Sequence, residues 1–165
     1  MKKHLQIAFN EYGISEIIGA KHNPDVLKYY KEVGHSWVKD DETAWCAAFV
    51  GYCLEKAGLG STRKLNARSY LDYGTSTTKP QFGDIVVFWR GSKNGWQGHV
   101  GFYINERDGM IYTLSGNQSN QVNIAPYSKT RLLGYRRIDS DSECPLALED
   151  ATLNETIDHL IELFK

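Results

Sequence analysis

The sequence predicts an α+β domain, with helices in the first half followed by a mostly antiparallel sheet and a closing helix. Two observations carry this. Apolar residues recur at helical spacing up to about residue 74, and from Asp84 onward the pattern changes to short alternating or continuous β runs bounded by Gly, Asn and Asp. Helices first and strands second is the α+β order. The 165 residues suffice for one core. We read 1–140 as the principal domain and 141–165 as a helical extension packed on it.

The elements follow in order. Residues 4–12 and 25–33 read as short amphipathic helices, with Asn23-Pro24 marking the start of the second. The next helix is predicted over 44–57, capped by Thr43 or Glu42 and stopped at Gly58. "ARSYLDYG" is a further short helix, and "STTKPQFGD" is loop. "IVVFW" (85–89) is a continuous apolar run and so a central strand. "HVGFYINE" and "MIYTLSGN" flank Arg107-Asp108-Gly109, and "QVNIAP" and "LLGYRRI" complete the sheet. A helix over 148–164 carries Leu153, Ile157, Leu160, Ile161 and Phe164 on one stripe.

Composition narrows the function. A net charge of −1 with no basic stripe excludes a nucleic-acid reader in the usual sense. No apolar run approaches the roughly 18 residues of a membrane span. "MKKHLQIAFNEYG" is too short and polar-interrupted for a signal peptide, so we expect synthesis in the cytoplasm. Three cysteines without a C-x-x-C pair argue against a disulfide scaffold, and five scattered histidines lack metal-ligand spacing. No metal or other cofactor is expected.

"DETAWCAAFVGYCL" (41–54) raises the central question. Cys46 falls in the first turn of a helix that is apolar on two stripes, where free N–H groups and the dipole favour a thiolate. Buried cysteines are commonly small core hydrophobes. Cys53, mid-helix, reads as packing. A base would separate the alternatives for Cys46.

His99 supplies that base. Alternation puts Val100, Phe102 and Ile104 on one face and His99, Gly101 and Tyr103 on the other, and Gly101 clears space on the histidine's face. Two registers compete for the next strand. A two-residue turn at Asp108-Gly109 places Gln118 opposite His99 but sets Val100, Phe102 and Ile104 against polar residues. A three-residue loop with a bulge pairs Glu106 with Met110 and His99 with Asn117, and matches apolar with apolar. We therefore expect Asn117 beside His99, orienting its ring, with Gln118 as the reserve. Cys46, His99 and Asn117 then form a nucleophile, base and orienter.

"WCAAFV", "PQFGDIVVFWRG", "GHVGFY", "LSGNQSNQV" and "LLGYRR", in this order between residues 16 and 138, resemble the CHAP-like cysteine hydrolases, which share a papain-like fold with NlpC-type wall hydrolases. The resemblance is to a small branch of phage lysis and bacterial wall-active proteins. It implies Cys46 as nucleophile, His99 as base and Asn117 as third polar residue, acting on an amide bond of peptidoglycan as amidase or endopeptidase. The sequence departs from many members in having Ser115 where they carry glutamate. NlpC-type enzymes often use a second histidine, and here none follows His99 until His159. Asp84 matches a family feature and reads as structural, bonding nearby backbone N–H groups.

Trp45, Trp96, Gln97 and Gln118 are the candidate substrate contacts. The oxyanion would be held by the Cys46 N–H and a donor within 38–45, with Trp45 and Thr43 as candidates. The expected partner is peptidoglycan, reached after release or non-classical secretion, by a monomer acting as a phage lysis enzyme or antibacterial effector. An effector would require an immunity protein. The alternatives are a catalytically silent module that binds wall or partner, or a cysteine peptidase or acyltransferase with a non-wall substrate.

Overall fold

The computed structural model describes residues 1–19, 21–39 and 44–139, and, of the C-terminal segment, 155, 157–159 and 162. Three helices, α1 (Lys3–Asn10), α2 (Pro24–Glu32) and α3 (Cys46–Lys56), precede the main sheet. Asn23 caps α2 by accepting the Asp25 N–H, with Pro24 in the first turn, as the Asn-Pro break predicts. The residue before α3 is Trp45, which makes no side-chain cap. The predicted caps Thr43 and Glu42 lie outside the described residues. "ARSYLD" folds as a 3-10 helix over Ala67–Asp72.

Six strands follow: β1 (Thr75–Thr77), β2 (Ile85–Trp89), β3 (Gly98–Arg107), β4 (Met110–Gln118), β5 (Gln121–Ser128) and β6 (Leu132–Arg137). Their order is β1-β6-β2-β3-β4-β5, with every pair antiparallel. The α+β class and the position of β2 inside the sheet agree with the sequence. β1 was expected as loop; its three polar residues carry no apolar signal and join the sheet through pairing with β6.

α3 lies on the sheet face formed by Ile85, Val87, Val100, Phe102 and Leu114, all fully buried. Gly116 on β4 makes this approach possible, since a β-carbon there would collide with the Trp45 ring and with Phe49. Tyr29 of α2 packs on Trp45, Phe49 and Tyr52 and donates to Glu11. The free side of β5 is met by residues 13–16, through Gly13 N–H to Val122 O, Val122 N–H to Ile14 O and Glu16 N–H to Asn120 O.

The turn between β3 and β4 corrects one expectation. Arg107 pairs with Met110 across a two-residue turn in which Asp108 and Gly109 are both left-handed, and Glu106 pairs with Ile111 rather than Met110. A bulge then leaves Ile104 unpaired between Tyr103–Thr113 and Asn105–Tyr112, and Phe102 meets Leu114 as expected. Both registers occur on the same hairpin, one on each side of the bulge.

Asp84, fully buried, accepts the Gln81 N–H and pairs with Arg137 at 2.9 Å. Most of the helix predicted over 148–164 lies outside the described residues. Within it, Ile157 is buried, and Asp158 and Glu162 pair with Arg107 at the opposite end of β3 from His99.

Candidate active site

The site forms where the start of α3 meets the start of β3. Cys46 is the first residue of α3 and is 5% exposed. The backbone N–H groups of Val100, Ala47 and Cys46 stabilise its sulfur as an anion, and the Arg90 charge acts in the same direction. Burial outweighs them, and the thiol is held above its ordinary pKa. The helix N-terminus therefore does not produce the resting thiolate that its position suggests. Cys53 is more strongly raised, again by burial, and is fully enclosed. Cys144 lies outside the described residues.

His99 directly precedes Val100, whose amide meets the Cys46 sulfur, and is 3% exposed. Its partner across β2 is Phe88, and the Tyr127 ring stacks over both, 4.7 Å from His99 and 4.8 Å from Phe88. Burial lowers the His99 pKa to about 4, the Gln118 hydrogen bond opposes this, and Arg90 and Arg131 add to the lowering. The resting pair is thus a neutral thiol and a neutral imidazole.

The orienting hydrogen bond comes from Gln118, whose Oε1 stands 3.0 Å from His99 Nε2. The expected His99–Asn117 pairing is not the one formed. β4 is irregular between Ser115 and Gln118, and Asn117 sits at a left-handed φ of 58°. That irregularity carries the chain one residue further before a side chain reaches the imidazole. Gln118 is itself fixed: its Nε2 donates to Thr113 O, Asn123 O and Asn123 Oδ1. The Asn123 side chain returns a bond to Gln118 O. Every neighbour of Gln118 Nε2 is an acceptor, so its Oε1 faces His99 and His99 carries its proton on Nε2. Nδ1 is left with a lone pair to accept a proton.

A pocket over this group is lined by Ala44, Arg90, His99, Asn117, Gln118, Ser119, Asn120, Tyr127 and Arg131. The structure therefore gathers His99, Asn117 and Gln118 at one pocket, with Cys46 against the amide of Val100. Trp45 lies elsewhere: it is fully buried between Tyr29 and Gly116, so it seats the start of α3 and has no surface to offer a substrate. Trp96 is 77% exposed on the loop between β2 and β3, outside the pocket lining. Gln97 is also outside it; its backbone oxygen accepts from Arg68 and from the Arg90 N–H, which braces that loop. Thr43 lies outside the described residues.

Sequence reasoning missed Tyr127, Asn123, Arg90 and Arg131. Tyr127 and Asn123 reach the site through β5 pairing, and no local motif marks that contact. Asn123 offered one signal, as a polar residue inside the apolar alternation of "QVNIAP".

The CHAP domain family model matches residues 38–117, which contain Cys46, His99 and Asn117. No curated protein matches the chain. Among solved structures, the chain is similar to a lipoprotein-like protein of the NLP/P60 family from Staphylococcus aureus, at 17% identity and a TM-score of 0.49. That similarity covers 85% of this chain and 41% of the other, so the chain spans well under half of that protein's length. Residues 38–117 of the chain match the CHAP domain family, and they lie within an α+β arrangement of helices on a six-stranded antiparallel sheet.

Proposed function

We propose that this protein is a cysteine-dependent hydrolase that cleaves an amide bond of the peptidoglycan stem peptide, with Cys46 as nucleophile, His99 as base and Gln118 as orienter. The observation that carries the reading is the fixed direction of the His99–Gln118 bond, which leaves Nδ1 as proton acceptor, while the amide of the next residue, Val100, meets the Cys46 sulfur. The CHAP match supports the wall as substrate.

In this reaction the Cys46 S–H proton passes to His99 Nδ1 as sulfur attacks the carbonyl. The Cys46 N–H, at the positive end of α3, stabilises the oxyanion. The intermediate collapses to a thioester, and the departing amine takes the proton from Nδ1. His99 then removes a proton from water, which attacks the thioester and releases the acid and the Cys46 thiol. Because thiol and imidazole begin neutral, proton transfer accompanies attack. Gln118 holds the ring in the required tautomer and stabilises the imidazolium that forms. Release at the wall, by lysis or by secretion, is part of the same proposal.

Purified sacculi digested with wild type and with Cys46→Ala, with products identified by mass, test this. Defined fragments from wild type alone support the reading, and their new termini name the bond. Sacculi left intact by wild type under conditions where a control hydrolase cuts them would overturn the wall as substrate.

A further inference from the structure

Among the described residues, the charges lining the pocket are of one sign: Arg90 and Arg131 stand there with His99, and no described Asp or Glu is among the lining residues. The two arginines come from different elements, Arg90 following β2 and Arg131 preceding β6, and converge on one opening. Arg131 is fixed: its Nε donates to Trp89 O at 3.2 Å, and its guanidinium lies over the Trp89 ring at 5.2 Å. This leaves its two terminal nitrogens without an acceptor among the described residues. The Arg90 side chain makes no hydrogen bond or ion pair among the described residues, although its backbone N–H is held by Gln97 O. Both line the same pocket as His99 and Tyr127, and both charges act on those two side chains.

A pair of converging guanidiniums with no carboxylate partner among the described residues is matched to an anionic ligand, and its planar fork suits a carboxylate. Cations beside a histidine that must become an imidazolium oppose its protonation even as Arg90 favours the Cys46 anion, and a carboxylate brought in by the substrate would offset the first effect. From this we infer that Arg90 and Arg131 form a carboxylate subsite, and that the substrate is an amide bearing a free carboxylate next to the scissile bond. This rests on the proposed Cys46–His99 chemistry and adds a substrate requirement to it. Within a stem peptide, that carboxylate is either one along the peptide or the one at its C-terminus.

Alkylation of Cys46 tests the subsite without any assumption about the wall. Iodoacetate carries the carboxylate and iodoacetamide is its neutral amide. Rates at Cys46 are measured by peptide mapping for wild type, Arg90→Gln, Arg90→Gln/Arg131→Gln and the charge-keeping Arg90→Lys. The iodoacetate-to-iodoacetamide ratio should fall on the order of tenfold in the double variant, be largely kept in Arg90→Lys, and decline in wild type as salt rises. An unchanged ratio in the double variant, with Cys46 still reactive, overturns the subsite and leaves the catalytic reading standing. Cys46 inert to both reagents overturns both. Synthetic stem peptides amidated at one carboxylate at a time then separate the two sources. The required position is the one whose amidation raises KM in wild type and has little effect in the double variant; no such position would also overturn the subsite.

Discussion

His99 Nε2 donates to Gln118 Oε1 at 3.0 Å, and the three acceptors around Gln118 Nε2 fix the direction of that bond. Asn117 lines the same pocket from a left-handed backbone, and among the described residues its side chain makes no hydrogen bond to His99. Gln118→Ala should therefore lower kcat on the order of a hundredfold with a small change in KM. Asn117→Gly keeps the left-handed backbone and should retain most activity. Steady-state kinetics of the two variants distinguish Gln118 from Asn117 as orienter.

Two buried histidines make the fold acid-sensitive. His99 and His4 both have pKa values near 4, lowered chiefly by burial, against an ordinary 6.5. Between pH 6.5 and 4 the unfolded chain binds protons that the native chain does not. The stability they contribute is complete above about pH 6.5, falls with pH through that window, and is gone below 4. Each contributes up to roughly 3 kcal/mol. Urea unfolding at pH 7, 5.5 and 4.5 should show this loss, and His4→Gln should remove about half of it. The activity of protein that remains folded should persist well below pH 6, because the base is still neutral there.

Gly116 admits the Trp45 ring, and Trp45 directly precedes Cys46. Gly116→Ala should cost about 1–3 kcal/mol through overpacking. It should also depress kcat at temperatures where the variant is fully folded, because displacing Trp45 moves the start of α3. Thermal melts with kinetics below the transition test the two effects separately.

Asp84 ties the turn before β2 to β6 through Arg137 and the Gln81 N–H. Asp84→Ala leaves both donors without that acceptor and should cost about 3 kcal/mol. Denaturant titration measures this. Any activity that survives should show an unchanged KM, since Asp84 lies outside the pocket lining.

Much of this architecture is legible in the residues. The apolar run Ile85–Trp89 is an internal strand, Asn23-Pro24 begins a helix, and Gly101 stands where a β-carbon would collide with Thr113 and Ser115 of β4. Cys46 at the start of a helix and His99 near the start of a strand stand where helix position and strand alternation put them. The side chain that hydrogen-bonds His99 does not, because register arguments assume regular strands. Here a bulge at Ile104 changes the register once, and a left-handed Asn117 breaks it again before Gln118. The expected thiolate fails for a related reason. A helix N-terminus is a local feature, whereas the burial that raises the Cys46 thiol is a property of the folded whole. Arg90 and Arg131 are 41 positions apart and meet only in three dimensions.

The most direct measurement of the central claim compares two cysteines of the same helix. Native protein is treated with iodoacetamide at neutral pH and the modification of Cys46 and Cys53 is mapped over time, in wild type and in His99→Ala. Cys46 should be modified far faster than Cys53, and His99→Ala should remove most of this advantage. Equal, slow modification of both cysteines, or a Cys46 rate indifferent to His99, would contradict it and leave Cys46 as a core residue.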